Sequence, residues 1–178
     1  MLMLFGFVGE KYIIESNMKI PIVNEEDEVI GYKERGNRDP NDICRITGLW
    51  VTALDGSILL ARRAFTKKHH PGVWGPAVSG TVEEGETYES NILKEAEEEI
   101  GLKNATPVPG PKIRGDSSHQ YFCQWFTAVI PREYPFVKRV EEVEEVRWFS
   151  KEEILKLLED TPQVFLQNLP KYLGYFST

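Results

Sequence analysis

The feature that most constrains this chain is a concentration of glutamate in one short stretch. Residues 83–99 contain eight glutamates and a single lysine, so the formal net charge of −7 of the whole 178-residue chain lies within this window. The segment directly upstream, residues 56–82, contains two arginines and two lysines but no acidic residue. An acidic segment beside a basic one suits a ligand that is itself anionic and carries a metal cation. The alternative is a solvated helix face, and charge counts alone favour that alternative.

The acidic stretch also has helical periodicity. Thr87 is a typical N-cap residue and Gly101 a typical residue just beyond a helix end, which predicts a helix that ends at about residue 100. Four apolar side chains fall on one arc that must face a core, namely Ile92, Leu93, Ala96 and Ile100. Glu95, Glu98 and Glu99 fall on the neighbouring arc, and no basic residue relieves their repulsion. Carboxylate oxygens at this spacing suit Mg²⁺ or Mn²⁺, and the absence of sulfur argues against structural zinc.

The rest of the chain predicts a mixed sheet between helices, in the α/β or α+β class. Strands are predicted at 19–24, 29–32, 43–54, 57–64, 77–79, around 113, at 120–130 and at 144–149. Asp55-Gly56 is the strongest hairpin signal and predicts a tight turn between the third and fourth of these strands. Ser150 opens a predicted helix that continues through Leu158. Thr161-Pro162 predicts the start of a last helix with proline in its first turn.

Length and composition predict a single domain. The chain has 41% hydrophobic and 28% charged residues, which is enough to bury a core. We expect residues 19–178 to form this domain and residues 1–18 to be a preamble, either an edge strand or a segment before the functional start. No apolar run reaches the roughly 20 residues of a membrane-spanning helix, and no dominant basic face suits a nucleic-acid polymer. Two cysteines and the lack of a signal-peptide pattern predict a cytoplasmic protein.

Between positions 80 and 102 the sequence resembles the Nudix box, G-x5-E-x7-R-E-U-x-E-E-x-G-U with U aliphatic. The matching residues are Gly80, Glu86, Lys94, Glu95, Ala96, Glu98, Glu99, Gly101 and Leu102. Every spacing fits, and one specified position departs because Lys94 stands in place of arginine. Residues 144–149 also resemble the strand that closes the Nudix sheet. The chain is therefore identified as a member of the Nudix superfamily, over residues 21–158.

The resemblance implies an α/β/α sandwich with a mixed central sheet, in which the box forms a loop, a helix and a loop. It also implies metal-dependent hydrolysis of a small-molecule diphosphate linkage, by attack of water on phosphorus. On that basis we expect Glu95, Glu98 and Glu99 to bind Mg²⁺ or Mn²⁺ and to be the catalytic glutamates. The backbone carbonyl of Gly80 would be a further ligand, and Glu86 would support the loop or bind a second ion.

Other roles implied by the resemblance are less sharply assigned. Lys94 offers a point charge where the family has a bidentate arginine, so we expect looser support of the metal ligands. Glu142 and Glu145 are candidates for the general base, because Nudix proteins often recruit one from late loops; an exposed strand end is the equal alternative. Nudix proteins are often dimers, so a homodimer is a further candidate. No motif indicates the group that the diphosphate carries.

Residues 62–74 resemble the corresponding stretch of isopentenyl-diphosphate isomerase, a Nudix relative. This resemblance implies that Arg63 and Lys67 bind the substrate diphosphate, and the adjacent Arg62 is a further candidate for binding it. Isomerisation needs a protonating thiol and a histidine-rich metal site, but Ser79 aligns with the thiol and is far too weak an acid. The aligned histidine positions hold Asn37, Cys44 and Thr81. We therefore expect a hydrolase of an isomerase-like subgroup, with an isomerase and a non-catalytic nucleotide- or protein-binding module as alternatives.

Overall fold

The computed structural model describes residues 18–116 and 119–176, and these form one mixed sheet with three α-helices. The nine described strands are β1 (Lys19–Val23), β2 (Val29–Glu34), β3 (Ile43–Thr52), β4 (Ile58–Arg63), β5 (Trp74–Pro76), β6 (Val78–Thr81), β7 (Val108–Gly115), β8 (Gln120–Val129) and β9 (Val143–Phe149). The helices are α1 (Tyr88–Ile100), α2 (Lys151–Asp160) and α3 (Leu169–Phe176). None of these helices has the length and hydropathy of a membrane span. The preamble expected before Met18 lies outside the described residues.

Strand β3 organises the sheet because both of its edges are paired. It runs parallel to β8 over its whole length, from the pair Ile43–Gln120 to the pair Thr52–Val129. The antiparallel strands β1, β6 and β4 share its other edge. The pairing of β3 with β6 sets Thr47 opposite Gly80, which places the start of the acidic loop at the middle of the sheet.

Helices cover both faces of this sheet. The core under α1 contains Ile92, Ala96 and Ile100 of the helix with Leu49 and Val51 of β3. The core under α2 and α3 contains Ile154, Leu169 and Leu173 with Trp50 and Trp125. Residues of β3 alternate between the two cores because successive side chains of a strand point to opposite faces. The predicted α/β/α sandwich is confirmed.

Helix α1 begins and ends as its sequence predicts, but its buried face is displaced around the helix axis from the face that the sequence predicts. Thr87 Oγ1 accepts a hydrogen bond from the backbone N–H of Ser90, and Gly101 adopts the left-handed conformation with φ of 67°. The prediction that Leu93 faces the core is wrong, since its side chain is 37% exposed. Asn91 is fully buried instead. Burial of Asn91 turns the side of the helix that carries Glu95 toward the sheet.

The prediction of a last helix at Thr161-Pro162 is also wrong. Pro162–Val164 forms a single 3-10 turn, after which the chain becomes extended, and α3 begins at Leu169. Phe165 is 4% exposed, bridges to Trp74 and packs edge-on against Phe149. Burying this aromatic ring takes precedence over continuing the turn into a helix.

Candidate active site

Glu95 and Glu99 lie one turn apart on the side of α1 that faces β6. A Cβ atom at Gly80 of β6 would stand only 2.4 Å from Glu95 Cγ, so a larger residue there would push the glutamate off the strand. The backbone N–H of Ser79 donates a long hydrogen bond, 3.4 Å, to Glu99 Oε2. The packing of α1 on β6 therefore holds both carboxylates beside the strand.

Burial raises the pKa of both carboxyl groups. The pKa of Glu99 rises to about 8, first because burial disfavours the charged form and then because Glu95 and Glu142 repel it. The pKa of Glu95 rises to about 7, again mainly through burial, although Lys94 lowers it. Among the residues that the structure describes, no cation forms an ion pair with either group. Two adjoining carboxylates of this kind favour the binding of a positive ion.

Glu98 lies on the outer side of the same turn. Its carboxylate forms an ion pair with Arg139 at 3.3 Å, and the Glu98 and Arg139 side chains are 48% and 39% exposed. Within 18–116 and 119–176, no three carboxylate, histidine or cysteine side chains converge as a preformed metal site. Glu98 would have to leave Arg139 to join the other two glutamates. Two carboxylates still suit Mg²⁺, which binds proteins through one or two carboxylates and completes its shell with water and substrate phosphates.

The other end of the acidic stretch is neutralised by residues of the same stretch. Lys94 Nζ lies 2.6 Å from Glu86 Oε1 and 2.8 Å from Glu83 Oε1. Glu86 Oε2 accepts hydrogen bonds from the backbone N–H of Glu83 at 2.9 Å and from Asn91 Nδ2 at 2.8 Å. Burial by itself would raise the pKa of Glu86, but the contact with Lys94 and then the hydrogen bonds from Glu83 and Asn91 lower it below its ordinary value. The geometry supports the expected role of Glu86 in holding the loop, and both of its oxygens already have partners.

The basic residues lie across a cleft from α1, at the end of β4 and in the loop that follows. Arg62 Nε and Arg63 Nε donate to the carbonyls of Gly72 at 2.9 Å and His69 at 3.2 Å. These hydrogen bonds brace loop 64–73 and hold both guanidinium groups at its base. The cleft is lined by Arg62, Arg63, Ser79, Glu99 and Glu142, among others. The acidic and basic segments of the sequence thus meet in the fold.

Of the two candidate bases, Glu142 is the one placed in this cleft. Its Oε2 pairs with Lys67 Nζ at 2.5 Å, and its backbone carbonyl accepts the N–H of Ala64 at 2.9 Å. Glu145 is exposed and lies opposite Arg62 in the β4–β9 ladder, outside the described lining of the cleft. Glu142 therefore shares the cleft with Glu99, whereas Glu145 does not.

Comparison with known proteins decides the family. Residues 44–169 match the model of the NUDIX domain, which is more than half of the chain. The chain belongs to the Nudix family. Nudix hydrolases act on pyrophosphate bonds, so this enzyme class is shown together with the family.

Two relatives of this Nudix chain have contrasting names. An uncharacterized Nudix hydrolase of Pseudomonas aeruginosa is 30% identical over 155 residues, which cover 85% of this chain and 90% of that protein. An isopentenyl-diphosphate Delta-isomerase of Enterobacter is 28% identical over 156 residues, which cover 81% of this chain and 82% of that protein. The resemblance to the isomerase stretch that residues 62–74 predict therefore extends over most of the chain.

Solved structures agree with the fold. A crystal structure of a Deinococcus radiodurans protein superposes with a TM-score of 0.75 at 20% identity, covering 88% of this chain and 97% of that one. The Nudix domain of Shewanella oneidensis NrtR, solved with ADP-ribose, gives a TM-score of 0.56 at 17% identity, covering 71% of this chain and 91% of that one. At these identities the likeness shows the fold alone.

Proposed function

We propose that this Nudix protein hydrolyses a diphosphate linkage in a small molecule, with a divalent metal ion, by attack of water on phosphorus. The observation that carries the proposal is the partly buried pair Glu95 and Glu99, which has no cation partner among the described residues, with Glu99 lining a cleft that Arg62 and Arg63 also line. An anionic substrate fits the basic side of such a cleft and a hard cation fits the acidic side.

Glu95 and Glu99, with the backbone carbonyl of Gly80, are the residues that would hold Mg²⁺ or Mn²⁺. Glu98 would join them after exchanging Arg139 for the ion. A bound divalent ion would polarise the phosphoryl oxygens and lower the pKa of a coordinated water. The chemistry of the donors fits this assignment, because all of them are oxygens and three are carboxylates once Glu98 has joined.

The remaining residues of the cleft have roles in binding and proton transfer. Arg62 and Arg63 line the cleft with Glu99, and Lys67 pairs with Glu142 of the same cleft, so these three cations are our choice for binding the diphosphate. Glu142 is our choice for the general base, since it lines the cleft near Glu99. Binding of the anion to Lys67 would release Glu142 from its ion pair. Glu145 stays a weaker candidate on the same reasoning.

The name of the Enterobacter relative raises the isomerase as a second candidate, but the site argues against it. Ser79 is exposed beside Glu99 and offers a hydroxyl, whose acidity is far below that of the thiol the reaction needs. Asn37, Cys44 and Thr81 stand where the isomerase has histidines. The non-catalytic alternative is also disfavoured, because a binding module has no use for two partly buried carboxylates that repel one another. A cytoplasmic location and a homodimer stay predictions.

The test is a panel of nucleoside, sugar, coenzyme and prenyl diphosphates, with release of phosphate or monophosphate as the readout. We expect hydrolysis of at least one compound with Mg²⁺ or Mn²⁺ and none with a chelator. The variant carrying both Glu98→Gln and Glu99→Gln should be inactive; if it retains activity with metal present, the assigned mechanism is wrong. Conversion of isopentenyl to dimethylallyl diphosphate that Ser79→Ala abolishes would support the isomerase instead. Neither turnover nor metal binding would support the non-catalytic module.

A further inference from the structure

We propose that Asn91 is a positioning residue for the metal-binding carboxylate of Glu95, an inference that rests on the proposed function. Asn91 falls in the unspecified seven-residue spacer of the Nudix box, so no motif assigns it a role. It is nonetheless fully buried, although it is polar and lies in a helix. A buried amide must find hydrogen-bond partners or destabilise the fold, and its partners indicate what it does.

Two of these partners tie α1 to the sheet. Asn91 Oδ1 accepts a hydrogen bond from Thr47 Oγ1 of β3 at 2.5 Å, and Nδ2 donates one to the carbonyl of Thr81 in β6 at 3.1 Å. Thr47 is the residue opposite Gly80 in the β3–β6 ladder. The amide is therefore tied to the residue opposite Gly80 and to the residue that follows it, and Glu95 packs against the same glycine.

Asn91 and Glu95 together fill the space that a side chain at Gly80 would occupy. The atoms nearest to a Cβ at that position are Glu95 Cγ at 2.4 Å and Asn91 Oδ1 at 2.8 Å. Residues four apart are neighbours on one face of a helix. The hydrogen bonds of Asn91 thus set how closely α1 approaches β6, and this approach decides where the Glu95 carboxylate lies.

The third partner connects the amide to the acidic loop. Asn91 Nδ2 also donates to Glu86 Oε2 at 2.8 Å, and the other oxygen of Glu86 pairs with Lys94. An aspartate of the same shape would turn an acceptor toward both the Thr81 carbonyl and the Glu86 carboxylate. The position therefore requires a side chain that donates and accepts at once, which an amide does.

The experiment measures Mn²⁺ affinity of the full-length protein by titration calorimetry, without substrate. We expect Asn91→Ala to bind Mn²⁺ roughly 10-fold more weakly, the usual loss when a group that orients a metal ligand is removed. Thr47→Val removes one of the three hydrogen bonds and should weaken binding by about threefold, which keeps the test valid if Asn91→Ala does not fold. Adding Glu86→Gln to Asn91→Ala should reduce the free energy of Mn²⁺ binding by less than the sum of the losses in the two single variants, because both side chains belong to one hydrogen-bond network.

A matched control separates positioning from general stability. Ile154→Val trims a buried side chain in α2 on the opposite face of the sheet and should leave Mn²⁺ affinity unchanged. If the wild type binds Mn²⁺ and hydrolyses a diphosphate while Asn91→Ala and Thr47→Val bind as tightly, this inference is overturned and the proposed function stands. An equal loss in Ile154→Val overturns it too. If the wild type neither binds Mn²⁺ nor hydrolyses a diphosphate, the proposed function fails and the inference fails with it.

Discussion

The glutamates at the two ends of the acidic stretch have opposite electrostatic surroundings. At the N-terminal end, Lys94 bridges Glu83 and Glu86, and hydrogen bonds lower the pKa of Glu86. At the C-terminal end, burial and repulsion raise the pKa of Glu95 and Glu99 to about 7 and about 8. Glu83 and Glu86, which precede the helix, thus have a cation of the same chain as partner. Glu95 and Glu99 have none among the described residues and favour a cation from outside the chain.

This difference shows that charge composition alone does not reveal which glutamates have a cation partner in the fold. A run of glutamates looks uniform in composition, yet the fold gives Glu83 and Glu86 a cation partner and leaves Glu95 and Glu99 without one among the described residues. We expect the ion pairs of the N-terminal end to contribute to stability, and the repulsion between Glu95 and Glu99 to reduce stability where both groups are ionised. Four experiments can break or sharpen the comparison.

The largest expected effect is on catalysis. Glu99→Gln should lower kcat by roughly 10³-fold, because a metal ion supplies several kcal/mol of transition-state stabilisation and this carboxylate would help to hold it. Glu83→Gln, at the neutralised end, should stay within about tenfold of the wild type. Steady-state kinetics with the best substrate of the panel measure both. Equal losses in the two variants would show that the two ends do not differ in function.

The next effect is on stability. Lys94→Met removes the cation that Glu83 and Glu86 share and should lower the free energy of unfolding by about 2 kcal/mol. The control is Lys103→Met, because the Lys103–Glu97 pair spans 3.3 Å between side chains that are more than half exposed. That variant should change stability by less than about 0.5 kcal/mol. Urea unfolding compares the two variants. Indistinguishable midpoints would mean that the ion pairs of Lys94 with Glu83 and Glu86 do not stabilise the fold.

A smaller effect concerns pH. The raised pKa values of Glu95 and Glu99 contribute stability that is complete below the ordinary carboxyl pKa and is lost as pH rises through about 7 and about 8. In chelator, the Tm of the wild type should therefore fall between pH 5 and pH 9 by a few degrees more than that of Glu99→Gln. Adding Mg²⁺ at pH 8 should recover Tm in the wild type. Parallel Tm curves for the two proteins would contradict the electrostatic account.

The smallest effect is expected for Lys94→Arg, which restores the residue that the Nudix box specifies. A guanidinium can reach both glutamates that Lys94 now bridges, so the free energy of unfolding should change by no more than about 0.5 kcal/mol. Mn²⁺ affinity should stay within about threefold of the wild type. A gain of tenfold or more would show that lysine loosens the metal ligands, as the sequence by itself suggests.

Local signals predicted much of the fold. Thr87, Gly101 and Asp55-Gly56 mark an N-cap, a helix end and a hairpin turn, and each depends on its own backbone neighbourhood. The signals that failed depend on contacts far away in the chain. Phe165 is buried against Trp74, and this contact, invisible in a window of sequence, ends the turn that Pro162 begins.

The candidate site shows the same division. The spacing of Glu95 and Glu99 is local, so their shared side of α1 could be predicted. The pairing of Glu98 with Arg139 and that of Lys67 with Glu142 join distant segments and could not. Asn91 was missed because helical periodicity assigns buried positions to apolar residues, whereas here three hydrogen bonds justify a buried amide.

The parallel partnership of β3 with β8 has a consequence for synthesis of the chain. A ribosome makes β3, the acidic helix and β6 well before it makes the strand that begins at Gln120, so the central strand emerges with one edge unpaired. Pairing of segments so far apart in sequence is slow, because a long loop must close first. The edge of β3 that pairs with β8 is therefore exposed in the nascent chain until β8 has been made, and unpaired strand edges of this kind are prone to aggregation.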